Sequence, residues 1–188
     1  LDAELLLGHL LGYGRAQLLT HDDESLNESA LSLYKSLLDR RCLGEPVAYL
    51  LGYRDFWKHR FVVGPGVLVP RPETELLVEQ ALRIAHDLAA APKVGEASAL
   101  RVLDIGTGSG AIAIALAARM PEAAIVGIDV SDTALETAKR NVSALSLSNV
   151  SLRHCDILTE DPTSEGFDLI VSNPPYIEIG RASCRERV

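Results

Sequence analysis

The chain has 188 residues, 47% hydrophobic and 23% charged, the balance of an ordinary soluble globular protein with room for one well-buried domain, or for a domain and a small accessory one. A formal net charge of −8 supplies no global basic field, so direct nucleic-acid binding is not expected, although a local basic patch can hide in an acidic total. No apolar run approaches the roughly 20 residues that span a bilayer. No signal peptide is evident, although the chain opens on Leu1 rather than Met, so the true amino terminus is expected to lie upstream. Three scattered cysteines (Cys42, Cys155 and Cys184) without a Cys-x-x-Cys read as free thiols of a reducing compartment, and a cytoplasmic location is expected.

Residues 1–11 place apolar side chains at Leu1, Leu5, Leu6, Leu7, Leu10 and Leu11, a helical stripe interrupted by Gly8 and closed by Gly12 and Gly14. After a polar break at His21-Asp22-Asp23-Glu24-Ser25, a second helix is predicted over 27–42 with Leu31, Tyr34, Leu37, Leu38 and Cys42 on one face. Gly44-Glu45-Pro46 ends it, and Pro46 suits the start of a short helix through Leu50 or Leu51. Residues 1–52 thus read as a helical domain without a polar cluster, either a docking module for a protein partner or a cap over the main core. Aromatic and β-branched residues over 53–63, with Lys58-His59 at the turn, predict a β-hairpin, and 53–70 reads as the linker between two domains.

Gly64-Pro65-Gly66-Val67-Leu68-Val69-Pro70-Arg71-Pro72-Glu73-Thr74-Glu75 is a rigid approach to the next helix. Pro72 suits the first helical position, and the carboxylates Glu73 and Glu75 suit the positive end of its dipole. That local logic suffices for both acids, and a functional role stands evenly beside it. The helix is predicted to reach about residue 90 with Leu76, Leu77, Val78, Ala81, Leu82 and Ala85 facing inward, before a flexible connector over 89–98.

Residues 100–105 form a short apolar strand that runs into Asp104-Ile105-Gly106-Thr107-Gly108-Ser109-Gly110, followed by an alanine-rich helix over 111–119. Strand, glycine-rich turn and helix in succession give the glycines meaning, because they permit positive φ and let backbone N–H groups approach a ligand closely. The spacing is G-x-G-x-G, not the G-x-G-x-x-G of dinucleotide folds, and no Gly-Lys-Ser/Thr follows for a triphosphate. A second strand over 124–128 ends on Asp129, placed to accept hydrogen bonds from the two hydroxyls of a ribose. Ser131 is expected to cap a helix over 132–145, and a third strand over 150–155 ends at Asp156. Asp156 reaches either an adenine amine or only its own strand-end turn. The alternation predicts parallel strands with right-handed crossovers in a doubly wound α/β sheet.

The fourth strand, 167–172, runs into Asn173-Pro174-Pro175-Tyr176. Two prolines stop the ladder and stiffen the chain at the carboxyl end of a strand, where open α/β sheets place their ligands. The Asn173 side-chain carbonyl and the Pro174 backbone carbonyl could accept both hydrogens of a planar NH2 group, with the Tyr176 ring against its face. The alternative is a strand that merely ends in a Pro-Pro turn. The five histidines show no ligand spacing with one another or with a cysteine, so no metal is expected. With neither a metal nor a nucleophile motif, transfer of a group carried by a cofactor is the natural chemistry.

The Asp104–Gly110 loop sequence, Asp129 and Asn173-Pro174-Pro175-Tyr176 resemble class I S-adenosylmethionine-dependent methyltransferases that act on planar nitrogen. Gly44-Glu45-Pro46-Val47-Ala48-Tyr49, Phe56-Trp57, Leu68-Val69-Pro70-Arg71-Pro72-Glu73-Thr74-Glu75 and Ser172 through Ile177 narrow the resemblance to the HemK/PrmC family of release factor glutamine methyltransferases. The resemblance implies a Rossmann-like methyltransferase domain over 71–177 and an amino-terminal domain that helps recognise a peptide chain release factor. It further implies S-adenosyl-L-methionine as cofactor, a monomeric enzyme, and methylation of the glutamine in a Gly-Gly-Gln motif. Gly106, Thr107, Gly108, Ser109 and Gly110 would line the methionine and ribose, Asp104 and Asp156 would belong to the same site, and Asn173 with Pro174 would hold the glutamine amide. Many relatives place an aromatic residue after the acid of the third strand, to pack on adenine, and here that position is Ile157. Residues 178–188 match nothing expected of the family and resemble the translation of a sequencing adapter. The sheet is therefore expected to be incomplete, at about four strands, and the chain as written poorly soluble or inactive. Alternative readings are methylation of a ribosomal-protein glutamine or of a nucleic-acid exocyclic amine, and a fragment that binds the cofactor without catalysis.

Overall fold

In the computed structural model the structure describes residues 1–90 and 99–174. Most of the expected connector before the first sheet strand, together with Pro175, Tyr176 and the 178–188 tail, lies outside the described residues. The chain divides into two compact units at Tyr53 and Arg54.

The first unit holds α1 (Asp2–Leu11), α2 (Arg15–Thr20), α3 (Glu28–Cys42) and α4 (Val47–Leu51). α1 ends where Gly12 adopts a left-handed φ of 69°. α2 is a short helix absent from the sequence reading, whose leucines fall in a run too short to display a period. Asn27 caps α3 by accepting the Ala30 N–H at 2.8 Å. Leu6, Leu37 and Leu50 form a small buried core, with Tyr34, Leu38, Val47 and Leu51 packed around it. The Tyr34 hydroxyl donates to the Ala3 carbonyl at 3.1 Å, and Arg41 pairs with Asp2 at 2.8 Å, so two points on α3 are tied to the amino end of α1. The predicted stripes are only partly buried, since Leu1, Leu5 and Leu31 remain exposed.

The hairpin consists of β1 (Tyr53–Phe56) and β2 (His59–Val62). Its turn falls on Trp57 and Lys58, one residue earlier than expected, with Trp57 at a left-handed φ of 56°. Phe56 and Phe61 meet edge to face at 6.0 Å and are buried in the main core with Val78, Ala81 and Val171. The hairpin therefore contributes core side chains to the second unit as well as leading into it. α5 (Thr74–Ala90) begins two residues after Pro72 and buries Thr74, Val78, Ala81 and Ala85, which recur at helical spacing. Leu76, expected inside, is 61% exposed. At about 100° per residue it stands on the face opposite Val78.

The main sheet is parallel, ordered β5-β4-β3-β6, with β3 at Arg101–Ile105, β4 at Ala124–Asp129, β5 at Val150–His154 and β6 at Leu169–Ser172. α6 (Ala111–Arg119) and α7 (Asp132–Ala144) supply the crossovers between β3, β4 and β5. Seven consecutive residues of α6, from Ala111 to Ala117, are buried, which explains its run of alanine and isoleucine without a polar face. The chain winds outward from β3 to β4 and β5, then returns to place β6 on the other side of β3. That reversal opens a crevice at the carboxyl ends of β3 and β6, the topological switch point of such sheets. Ile105 pairs with Ser172, so Gly106 and Asn173 leave adjacent strands at the same level.

One buried side chain joins three elements around this crevice. Asn141 of α7, 1% exposed, accepts the Val62 N–H at 2.7 Å and donates to the carbonyls of Val62 (3.1 Å) and Ser109 (2.8 Å). Its amide is thereby bonded through the oxygen and both hydrogens, linking the hairpin to the glycine-rich turn. Replacing it by alanine removes the partner of the buried Ser109 carbonyl and of two part-buried backbone groups of Val62. Asn141→Ala is expected to cost about 2–4 kcal/mol of stability, read as a lowered urea midpoint with an unchanged slope.

Candidate functional site

The turn after β3 depends on three glycines in left-handed conformation, Gly106 (φ 71°), Gly108 (φ 58°) and Gly110 (φ 80°). A side chain at Gly106 would meet open space, so only its backbone angle demands glycine. Gly110 is constrained twice, because a Cβ there would also stand 3.1 Å from Ile114 Cδ1 and 3.2 Å from Ala138 Cβ. The turn presents its backbone upward at the amino end of α6 while the side chains of Thr107 and Ser109 are buried beneath it.

Asp104 lies under this turn with no solvent exposure. Its Oδ2 accepts the Thr107 hydroxyl at 2.7 Å and the Ala113 N–H at 3.1 Å, tying the last turn of β3 to the first turn of α6. Oδ1 is buried without a partner among the described residues. Burial pushes the Asp104 carboxyl up to about 6, with the nearby Asp129 charge adding to the rise and the two hydrogen bonds opposing it. Asp104 therefore acts on the shape of the turn and offers no surface to a ligand.

Asp129, half-buried at the end of β4, accepts the Gly108 N–H through Oδ2 and the Ser131 N–H through Oδ1, both at 2.9 Å. The two bonds hold its carboxylate flat against the glycine turn, and each oxygen keeps a lone pair for an incoming hydroxyl. Ser131 caps α7 as expected, accepting the Ala134 N–H at 3.3 Å. At the end of β5, Asp156 accepts the Leu158 N–H at 2.9 Å, and its own N–H donates to Glu160 at 3.1 Å. The strand-end turn thus uses one oxygen of Asp156, while Ile157 beside it is 51% exposed and offers an apolar face.

On the other side of the crevice, the Ser172 hydroxyl donates to the Ile105 carbonyl at 2.8 Å and fastens the end of β6 to β3. Asn173, half-buried, donates through Nδ2 to the Thr74 hydroxyl at 2.8 Å, and Pro174 beyond it is exposed. The structure thus places Gly106, Gly108, Asp129, Asn173 and Pro174 at the carboxyl ends of neighbouring strands. Of the two acids in the approach to α5, Glu75 accepts the Trp57 N–H at 2.7 Å and so supports the left-handed hairpin turn, while Glu73 is exposed. Sequence reasoning passed over Thr74 between them, and over Asn141. A lone amide on the apolar face of α7 was the available signal for the latter. Among the described residues no cluster of three His, Cys, Asp or Glu could hold a metal ion, and no helix is long and apolar enough to cross a membrane.

The Asp104 carboxyl gives a pH test. Its folded value of about 6 lies above the ordinary 3.8, so its contribution to stability is fully present below pH 4 and is lost as pH rises through 6. The shortfall at neutral pH is roughly 3 kcal/mol. Asp104→Asn, which keeps the acceptor for Thr107 and Ala113, is expected to remove that decline. The difference between wild-type and variant urea midpoints, followed from pH 4 to 7.5, measures it.

Comparison with known proteins agrees with this geometry. Residues 1–52 match the PrmC N-terminal domain, and residues 96–184 match a methyltransferase domain. A release factor glutamine methyltransferase of Xylella fastidiosa (strain 9a5c) is 47% identical over 178 residues, covering 95% of this chain and 61% of the relative. Those of Aliivibrio fischeri and Escherichia coli K12 are 42% and 41% identical over 177 residues, 94% of this chain and 59% and 60% of theirs. The chain thus spans about three fifths of the length of these relatives. Among solved structures, human methyltransferase 10 domain containing protein is similar with a TM-score of 0.50 at 22% identity, over 82% of this chain and 65% of that one, a likeness of fold. With a PrmC N-terminal domain matched at its amino end, a methyltransferase domain after it, and more than two fifths identity over nearly all its length, the chain is similar to release factor glutamine methyltransferases over the part of them that it spans.

Proposed function

We propose that this sequence forms the cofactor-binding half and substrate clamp of an S-adenosyl-L-methionine-dependent enzyme that methylates the side-chain amide nitrogen of glutamine in the Gly-Gly-Gln motif of a peptide chain release factor. The observation that carries the proposal is Asn173, held at the switch point beside the glycine turn with its Nδ2 already engaged and no bond on its Oδ1 among the described residues.

The crevice fits the cofactor by its chemistry. The left-handed glycine turn borders open space at Gly106, where a methionine and ribose would lie, and Asp129 offers acceptors for both ribose hydroxyls. Asp156 and Ile157 stand where the adenine end would reach, one acidic and one apolar. When bound, the cofactor supplies an electrophilic methyl group on a sulfonium. The remaining task falls to the protein, because an amide nitrogen is a poor nucleophile whose lone pair is delocalised into its carbonyl. Asn173 Oδ1 and the Pro174 carbonyl would accept the two amide hydrogens, raise electron density on the nitrogen and fix its approach. Orientation of this kind supplies several kcal/mol of barrier reduction, on the order of 7–11 at its upper range. Tyr176, outside the described residues, would cover the face of the amide.

The names of the relatives support a release factor as substrate, and the net charge of −8 supports a protein substrate over a nucleic acid. Such a substrate puts the enzyme in the cytoplasm, and it is proposed to act there as a monomer. The direct test incubates the full-length protein with methyl-labelled cofactor and a release factor, then locates the label by mass spectrometry. Label on the glutamine of Gly-Gly-Gln supports the proposal; label only on nucleic acid, or on no glutamine, overturns it. Asn173→Ala is expected to lower turnover at least 100-fold while changing the calorimetric affinity for the cofactor less than threefold, and equal losses in both would remove Asn173 from the clamp.

A further inference from the structure

The contact that orients Asn173 comes from a residue that neither the glycine turn nor the Asn-Pro-Pro-Tyr motif contains. Thr74 is the first residue of α5 and is 8% exposed. Its N–H donates to the Arg71 carbonyl at 3.0 Å, which anchors the backbone, and its β-branched side chain has few rotamers to explore. The Thr74 hydroxyl oxygen, so fixed, accepts Asn173 Nδ2 at 2.8 Å. An asparagine amide has two chemically opposite ends. With Nδ2 bound to Thr74, Oδ1 is the end left for a substrate.

We propose that Thr74 is a positioning residue that sets the rotamer and the sense of the Asn173 amide, so that the clamp presents an acceptor and selects an NH2-bearing side chain over a carboxylate. This rests on the clamp reading given above. Without the hydroxyl, the amide is free to rotate and to turn its Nδ2 toward the substrate. A donor then meets the donors of a glutamine amide, while a glutamate carboxylate finds a partner it lacked. The buried hydroxyl therefore acts on selectivity as well as rate, which distinguishes it from a residue that only packs. Groups that orient a functional side chain from behind typically change activity by roughly 10- to 100-fold when removed.

The test uses the full-length protein and a release factor, with peptides carrying Gly-Gly-Gln or Gly-Gly-Glu as competitors. Thr74→Val keeps the shape and removes the hydroxyl, and Thr74→Ser keeps the hydroxyl and removes a methyl. Thr74→Val is expected to lower kcat about 10- to 100-fold with cofactor affinity within threefold of wild type, and Thr74→Ser to recover most of that loss. The glutamine peptide should inhibit the wild-type enzyme at least tenfold better than the glutamate peptide, and that preference should shrink severalfold in Thr74→Val and return in Thr74→Ser. Unchanged kcat and preference in Thr74→Val would overturn the assignment. So would a serine variant as impaired as the valine one, because the hydroxyl would then be immaterial. If Thr74→Val proves too unstable to assay, the preference of Thr74→Ser decides alone: retained selectivity supports the role and lost selectivity refutes it. A wild-type enzyme that fails to methylate the glutamine marks failure of the functional reading itself, and is told apart by that control.

Discussion

A carboxylate without access to water underlies the crevice. Asp104 reaches both the Thr107 hydroxyl and the Ala113 N–H in the first turn of α6, and it does so at the expense of its own ionisation. The turn above it consists of conformations that ordinary residues avoid, and a chain of three left-handed glycines has much freedom to lose. Bonds from below and from Asp129 above restrict that freedom before any ligand arrives. The cost of order is thereby moved from binding to folding, which is how a loop of glycines becomes a rigid cradle.

The position of the crevice follows from strand order. Because β3 and β6 are neighbours but lie on opposite arms of the winding, no crossover helix bridges their carboxyl ends. The glycine turn leaves one strand there and Asn173 leaves the other, and the Ser172 hydroxyl pins the two ends together. Asn141 adds a third tie, from the helix on one arm to the hairpin and to the Ser109 carbonyl. The hairpin, whose sequence reads as a connection between domains, is by this bond also a wall of the cofactor half. Phe56 and Phe61 make the same point in apolar terms.

Local chemistry was legible in the sequence and long-range chemistry was not. The strands β3, β4 and β5, the glycine turn, the Ser131 cap and Asp129 at the end of its strand each carry their signal within a few residues, and each is found where it was expected. α2 escaped notice because six residues do not display a helical period, and Leu76 was put inside because an apolar residue on a long helix is ambiguous by one position. The start of α5 at Thr74 in place of Pro72 is an end effect of the usual size. Thr74 with Asn173, and Asn141 with Val62, are 99 and 79 positions apart, and no periodicity relates residues at such distances. Asn173 was singled out from its motif; Thr74, which bonds its amide, was not.

That separation has a consequence for how the protein acquires its function. The glycine turn and Asp129 lie 21 positions apart, so their contact closes a short loop. The bond from Thr74 to Asn173 needs α5 seated on the sheet and β6 paired with β3, so it is among the last native contacts whose entropy of loop closure must be met. A folding chain can therefore possess a cofactor cradle before it possesses an oriented clamp. Cofactor binding would stabilise such an intermediate, and the clamp of the proposed function would be complete only once β6 has docked on β3.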